Sequence, residues 1–424
     1  MWSTKWYGVN SKLSGMKKKV LIHSLIFPPD GVSTAYLYGD IALALKKHGF
    51  EVEVLSTTPH YNIVANQVLR QPLKWKIWGV LKQSNFHGIK VLHVPQKKFK
   101  STSLRLIGFV YWHIISFLTA LTIKNIDIIL SPSPPLTIGL LNVWLAKLKR
   151  IKVVYNVQEV YPDILGHNSG LVYKLLSRIE KYVYNNSAAV TTIDKIFSDT
   201  IESRFRDSSR LRVIPNFVDT ELYRPLNSHG NLNQNLFIPN NHLKLLYAGN
   251  IGMAQEWDTL IELAKFTRKE PIDYYVIGEG VMRKYVKDSI AKYNLDNILL
   301  LPYQPRSLMP EIIAFSDIQF IFMNSEIAAQ GFPSKVYTIM ACARPLLVCS
   351  PANTPIVNFL DNLDCAKIIK SGSALDKARE IAGWLNDVNR DTLNRMGSNG
   401  YKIIQHYYSK EVVTAQYCHL LDGL

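Results

Sequence analysis

Cysteine is scarce in this chain, and acidic residues are missing from a long stretch of it. The four cysteines, Cys342, Cys349, Cys365 and Cys418, all lie in the last third without the paired spacing of a zinc site or a disulfide framework, so a reducing compartment fits best. No fixed short period recurs and no low-complexity tract appears, which removes solenoids, propellers and disordered tails. Residues 1–15 lack the uninterrupted apolar stretch of a signal peptide and read as a tail ahead of the first strand, which follows Met16.

The missing acids are the more informative absence. Between Glu53 and Asp127 there is no Asp or Glu, while Arg70, Lys74, Lys76, Lys82, Lys90, Lys97, Lys98, Lys100, Arg105 and Lys124 place ten cations there, most of the net charge of +16. Trp75, Trp78 and Phe99 interleave with these cations, and an apolar run, Leu104 to Ile123, follows. A solvated basic face is the plain alternative, but cations, aromatics and an apolar neighbour together favour an anionic membrane surface over nucleic acid. At 100° per residue the less apolar positions of the run, Arg105, Gly108, His113, Ser116, Thr119 and Thr122, fall within about half of the helical circle. An interfacial helix fits this pattern best, ahead of a buried core helix and, last, a transmembrane span.

A length of 424 residues suits two domains of roughly 200 residues each, and 47% hydrophobic residues suit two globular cores. The first half alternates strand and helix. Val20 to Ile22 reads as a strand, followed by a Pro-Pro-Asp-Gly loop and a helix burying Tyr38, Ile41, Ala42 and Leu45, closed by Gly49. Further strands are expected at Val52 to Leu55, Ile126 to Leu130, Val153 to Val157, Ala189 to Thr192 and Val213 to Ile214. An Asn-rich stretch with Pro225 and Pro239 breaks the pattern, and alternation restarts at Leu243 and continues through Val348, with a helix expected from Pro333 to Ala343. The predicted fold is α/β, two doubly wound Rossmann-like domains facing across a cleft. Residues 16–220 form the first, with its membrane-associating segment near 70–123; 221–242 are the linker, 243–400 the second domain, and 401–424 a C-terminal helix packing back on the first.

Four stretches carry candidate chemistry. The first is the loop Phe27 to Thr34 with Gly31, Val32 and Ser33, where a helix N-terminus can face anionic groups; taken alone it is a turn capped by Ser33 or Thr34. The second is Val157-Gln158-Glu159-Val160-Tyr161-Pro162-Asp163 after a strand, where Glu159 can take a proton as general base. The third, Val213 to Pro225, has a Pro-Asn turn and an Asp explained by chain geometry. The fourth comprises Tyr247-Ala248-Gly249-Asn250-Ile251-Gly252, Gly278-Glu279-Gly280 with Arg283, and Gln330-Gly331-Phe332-Pro333-Ser334-Lys335. There, glycines after strands can bring backbone amides to phosphate, and Pro333 suits the first residue of a helix whose dipole faces a diphosphate.

The ordered set resembles glycosyltransferase family 4, especially its members that build bacterial capsule, O-antigen and colanic-acid polysaccharides, the fucosamine transferases among them. The resemblance covers nearly the whole chain from Met16 and implies the GT-B fold. It implies a retaining hexosyl- or N-acetylaminosugar-transferase, drawing on a nucleotide sugar, UDP-linked by default, and acting on a polyprenyl-diphosphate-linked glycan at the cytoplasmic face of the membrane. By position, Gly31, Val32, Ser33 and Gln158 then serve the acceptor and Glu159 is catalytic. Gly249, Asn250, Gly278, Gly280, Arg283, Gln330, Gly331, Phe332, Pro333, Ser334 and Thr338 serve the donor. Many relatives carry two carboxylates where this chain has Gln330 and Thr338, and Arg and Lys where it has Asn250 and Gln255. Lys335, catalytic in this reading, supplies the missing charge, with Arg283 as a second candidate. No Asp-x-Asp pair occurs, so neither an essential metal nor another cofactor is expected. Three alternatives remain: a catalytically weak glycan-binding or scaffold member, suggested by the replaced carboxylates; a nucleotide-sugar epimerase, for which the basic stretch has no role; and a nucleic-acid binder, which lacks a recognisable module.

Overall fold

The computed structural model describes residues 17–60, 65–96, 101–163, 170–226, 232–328 and 332–424. The chain divides into two compact units. The first holds residues up to Thr191, Glu202–Arg212 and Tyr417–Leu424; the second holds Thr192–Ile201 and Val213–Gln416.

In the first unit the strands are β1 (Lys19–His23), β2 (Glu51–Thr57), β3 (Lys74–Ile77), β4 (Leu81–Phe86), β5 (Ile89–Val94), β6 (Ile128–Pro132), β7 (Lys152–Val157), β8 (Ala189–Thr192) and β9 (Leu211–Val213). They form one sheet in the order β3-β4-β5-β2-β1-β6-β7-β8-β9. β5, β2, β1, β6 and β7 run parallel, and nearly every residue in them is buried, as a sheet covered on both faces requires. The antiparallel edge β3-β4-β5 is an addition to the expected elements: the basic stretch folds into it. A two-residue turn closes β4 onto β5, with His87 (φ 49°) and Gly88 (φ 80°) both left-handed, the conformation a tight hairpin demands.

The helices are α1 (Ser33–His48), α2 (Ala65–Arg70), α3 (Thr102–Thr122), α4 (Leu136–Lys149) and α5 (Leu171–Asn186); α6 (Lys195–Glu202) follows β8 and belongs, but for Glu202, to the second unit. α1 buries Tyr38, Ile41, Ala42 and Leu45, and Gly49 ends it by donating its amide to the Leu45 carbonyl. α5 is locked from within by Glu180, whose buried carboxylate accepts from Arg204 at 2.7 Å and from the Tyr184 hydroxyl. Tyr417–Leu424 close the unit: Tyr417 accepts from Asn156, and Asp422 takes His48 at 2.6 Å.

α3 is turned inside out. Its inward face holds Trp112, His113, Ser116, Thr119 and Ala120, all buried. The His113 Nδ1–H donates to the Phe109 carbonyl at 2.7 Å, so Nε2 accepts from the Thr137 hydroxyl on α4 at 2.8 Å, and burial holds the ring's pKa below the ordinary imidazole value. Leu104, Leu106, Ile107, Val110, Tyr111, Ile114, Leu118 and Leu121 face outward, 36 to 63% exposed. The helix is therefore not a core helix.

The second unit contains β10 (Leu243–Ala248), β11 (Ile272–Ile277), β12 (Ile298–Leu301), β13 (Ile318–Phe322), β14 (Leu346–Cys349) and β15 (Ala366–Ile369), in the order β12-β11-β10-β13-β14-β15, all parallel. This is the doubly wound order, which reverses between β10 and β13. Its helices are α7 (Trp257–Phe266), α8 (Arg283–Tyr293), α9 (Met309–Phe315), α10 (Lys335–Ala341), α11 (Pro355–Leu360), α12 (Ala374–Asp387) and α13 (Arg390–Ile403), with α14 (Lys410–Asp422) up to Gln416. The core beneath the carboxyl end of β10 is aromatic: Tyr247 meets Trp257 edge-on at 5.2 Å and lies 5.8 Å from Phe320.

Candidate functional site

Ligands of doubly wound sheets bind outside the carboxyl ends of the strands, where the order reverses. In the second unit that point lies between β10 and β13. Gly249 and Asn250 leave β10 there, and Lys335 opens α10 in the crossover from β13 to β14.

The glycine loops are laced to each other. The Gly249 amide donates to the Ile277 carbonyl, Ile251 to Glu279, Gly278 to Leu301 and Met282 back to Ile251. A Cβ on Gly278 would lie 1.9 Å from the Gly249 carbonyl oxygen, and one on Gly280 would lie 2.2 Å from that of Ile251, with φ at 143° and 157°. Both glycines are therefore required for loop-to-loop contact, and the amides of Gly249, Ile251 and Gly278 are spent inside the fold. This corrects the expectation that these amides face phosphate. Arg283 is likewise engaged: its Nε–H donates to the Gly278 carbonyl at 3.2 Å and pairs with Glu279 at 3.3 Å. Asn250 is exposed, and its carbonyl accepts the Tyr247 hydroxyl at 2.7 Å.

Lys335 stands apart. Its ammonium lies 3.7 Å from the centre of the Tyr247 ring, and a Cβ on Gly249 would approach it to 2.7 Å. Gly249 thus leaves the space that the ammonium fills. Among the described residues no carboxylate or carbonyl pairs with it, and burial alone pushes its pKa down to about 7. A part-buried cation without a counter-ion among the described residues is a candidate contact for an anion.

The helix expected from Pro333 to Ala343 is shorter. α10 begins at Lys335 with Ser334 as its cap residue, and Pro333 lies outside it, its carbonyl accepting the Val336 amide in a tighter first turn. Pro333 is therefore not the first residue of this helix. Phe332 packs against Tyr337 and Phe359, a core contact. Ser334 is exposed, and the Thr338 hydroxyl donates to the Lys335 carbonyl at 2.9 Å. Gln330 and Gly331, like Lys97, Lys98, Phe99 and Lys100, fall outside the described residues. Gln255 is turned toward Met323.

In the first unit, Gln158 and Glu159 follow the carboxyl end of β7. The Gln158 side chain donates to Asn156 Oδ1 at 2.7 Å, an oxygen that also accepts the Tyr38 hydroxyl of α1, and its amide donates to Ser133. Asn156 in turn donates to Thr191 and Tyr417. Glu159 is half-buried, and burial raises its pKa above the ordinary carboxylate value. Gly31 precedes α1, whose cap residue is Val32; neither Ser33 nor Thr34 caps it with a side chain, because both lie within the first turn. Trp257 and Asn156 lie outside the four candidate stretches, and Tyr247 opens the fourth without an assigned role. Trp257 donates its ring N–H to the Gly252 carbonyl at 3.0 Å, so Tyr247 and Trp257 together hold the β10 loop from below. Their only sequence signal is their place beside the glycine motif.

A polar cavity of about 530 Å³ in the second unit is lined by Lys244, Asp317, Arg344 and Arg390. It opens at the amino ends of β10, β13 and β14, the wrong end of the sheet for the candidate site.

The profile of Glycosyltransferase Family 4 matches residues 35–222, and that of Glycosyl transferases group 1 matches residues 230–403. The chain belongs to glycosyltransferase family 4. Among relatives of this glycosyltransferase, WcaI of Escherichia coli (strain K12), named for colanic acid biosynthesis, is 22% identical over 356 residues, covering 80% of this chain and 84% of that protein. WbjE of Pseudomonas aeruginosa, named as a glycosyltransferase, is 21% identical over 295 residues, covering 68% of this chain and 72% of that protein. Among solved structures, Anabaena HepE in complex with UDP superposes with a TM-score of 0.70 at 15% identity, over 96% of this chain and all of that one. The fold of this glycosyltransferase is accordingly GT-B.

Proposed function

We propose that this glycosyltransferase moves a sugar from a UDP-linked donor to a polyprenyl-diphosphate-linked glycan in bacterial surface-polysaccharide synthesis, with retention and without an essential metal. The observation that carries the donor half is Lys335, a cation at the switch point of the second sheet with no counter-ion among the described residues. Complexes of HepE with UDP and with UDP-glucose support UDP as carrier, and the name of WcaI supports a surface polysaccharide as product. As the bond to the sugar breaks, charge grows on the departing diphosphate, and a preorganised ammonium stabilises it without an ion. Glu159, with its raised pKa, is suited to accept the acceptor's proton, shared with the departing phosphate in a front-face displacement.

A second reading, a glycan-binding or scaffold member with little turnover, draws on Thr338, whose hydroxyl is bound to its own helix where relatives carry a carboxylate. UDP titrated into the protein tests the donor half of the proposal, since absence of binding by any nucleoside diphosphate removes it; binding without transfer favours the scaffold.

The lipid-linked acceptor and the place at the inner face of the cytoplasmic membrane rest on α3. Its outward apolar face is continued by Trp144 and Leu148 on α4 and by Leu171, Val172 and Leu175 on α5, with α4 packed between the other two helices. These three helices contain one acidic residue, the buried Glu180, against Arg105, Lys147, Lys149, Lys174, Arg178 and Lys181. Apolar side chains ringed by cations suit an anionic bilayer. The protein should float with anionic liposomes, less so in high salt. Leu106→Glu with Ile107→Glu should release it without lowering its melting temperature, since losing one buried leucine contact weakens partition by about tenfold or more. Failure to float at low salt would remove the membrane assignment.

A further inference from the structure

We propose that Arg204 is a positioning residue for the acceptor-side base: from the turn after α6 it pins the segment that carries Glu159, and turnover depends on that pin. The inference rests on the reading of Glu159 as general base and adds the residue that fixes where its carboxylate stands.

Among the described residues no hydrogen bond or ion pair holds the Glu159 carboxylate itself. Its position is therefore set by the backbone of its own segment, Gln158 to Asp163. On the near side that segment is tied to the sheet, where the Gln158 amide donates to Ser133 Oγ at 3.1 Å and its side chain to Asn156. On the far side it is tied to Arg204. Nη1 of that guanidinium donates to the Tyr161 carbonyl at 3.4 Å, and Nη2 donates to the Asp163 carboxylate. Glu159 lies between the two anchors.

Arg204 is itself held fast. Its Nη1 donates at 2.7 Å to both oxygens of Glu180, a buried carboxylate of α5 that also accepts the Tyr184 hydroxyl. The Asn185 side chain donates to the Arg204 carbonyl at 3.1 Å, and the next residue, Phe205, stacks on Tyr184 with ring centres 5.0 Å apart. A planar guanidinium forked between two carboxylates is fixed in direction, which an ammonium is not. The Glu180 half ties Arg204 to α5, while the Asp163 half reaches the Glu159 segment, where Tyr173 of α5 adds a hydrogen bond to the other Asp163 oxygen at 3.1 Å. A reacting group displaced by about 1 Å can lose about a hundredfold in rate.

The test is sugar transfer by the full chain from UDP-linked sugars to membranes bearing polyprenyl-diphosphate-linked glycans. Arg204→Ala strands the buried Glu180 carboxylate and lowers stability, so the segment is released from its other side with Asp163→Ala, which leaves the Arg204–Glu180 pair in place. Asp163→Ala should lower turnover by about ten- to a hundredfold. Its donor KM and UDP affinity should stay within about twofold of wild type, because the donor contacts belong to the second unit. Arg204→Lys, which keeps a cation for Glu180 but not the fork that spans both carboxylates, should lose as much, and combining the two substitutions should add no further loss. The reading that a merely structural role would not move is the coupling to Glu159. With Glu159→Gln already present, Asp163→Ala should cost less than about twofold, since the base it positions is gone. Turnover within a factor of two of wild type in Asp163→Ala or Arg204→Lys, or equal losses with and without Glu159→Gln, would overturn the inference and leave Glu159 in place. Full turnover in Glu159→Gln, or no transfer by wild type, would instead remove the reading on which the inference rests.

Discussion

Lys335→Ala is expected to lower sugar transfer at saturating donor by about a hundred- to a thousandfold, the loss typical of one preorganised charge-stabilising contact, worth about 2.7 to 4 kcal/mol. The size follows from how few other cations the site offers. Family positions that carry Arg and Lys in many relatives hold Asn250, which is exposed, and Gln255, which is turned toward Met323, while Arg283 is paired with Glu279. The amides of Gly249, Ile251 and Gly278 are committed to neighbouring carbonyls. Little is left to compensate for the ammonium when charge develops on the leaving group. Folding and membrane partition should be little affected, since Lys335 makes no ion pair among the described residues and loses only its contact with the Tyr247 ring. A lysine that merely decorates a helix start would cost well under about 1 kcal/mol. Transfer within a factor of two of wild type, in a folded variant, is the result that would remove Lys335 from the chemistry.

The second large effect is expected from Glu159→Gln, which should reduce turnover by about a hundred- to ten-thousandfold, the range for a positioned general base. The amide keeps the size and hydrogen-bonding ability of the carboxylate but accepts no proton. The direction of the Glu159 shift adds a pH signature. Burial raises its pKa, so on the acid side wild-type activity should fail at a pH above that of an ordinary carboxylate, as the group protonates and can no longer act as base. The effect on stability has the opposite sense. A carboxyl with a raised folded pKa contributes most below its unfolded pKa, and that contribution is lost as pH rises through the folded value. Near neutral pH, Glu159→Gln should therefore leave the melting temperature unchanged or slightly raised. Parallel loss of turnover and stability would mark Glu159 as a structural residue.

The parts of the fold legible in sequence were those whose strands are buried on both faces. Val20 to Ile22 and Tyr274 to Ile277 are continuous apolar runs, and Val153 to Val157 is one but for Asn156, because helices cover both sides of a parallel sheet. The hairpin β3-β4-β5 lacks that signature: its outer strand Lys74–Ile77 is exposed throughout and carries cations, and its turn is His87-Gly88 in place of the more familiar Asn-Gly. Periodicity also divided α3 into two faces, but it could not say which one meets the protein. A polar stripe satisfied by Thr137 and the helix's own carbonyls is as good an inner face as an apolar one, so the assignment needed α4 in place.

The candidate site was legible to a similar depth. Its glycines, Lys335 and Glu159 follow strands and carry recognisable chemistry. What they do depends on neighbours distant in sequence. Gly278 is required by the Gly249 carbonyl and Gly249 by its own φ of 152°, while Gln158 is positioned by Asn156, which also binds Tyr38, Thr191 and Tyr417. Tyr247 opens the fourth stretch without an assigned role and Trp257 lies beyond it, and only the fold places a cation on one and a loop carbonyl on the other.

The most direct measurement is sugar transfer itself. Wild-type protein, incubated with membranes bearing polyprenyl-diphosphate-linked glycans and a panel of sugar nucleotides, should yield a glycolipid heavier by one sugar residue with at least one UDP-linked donor, detected by mass spectrometry and persisting when divalent metal is chelated. No mass increment with any donor, from protein that binds UDP and associates with the membranes, would contradict the assignment as a transferase and leave the scaffold reading in its place.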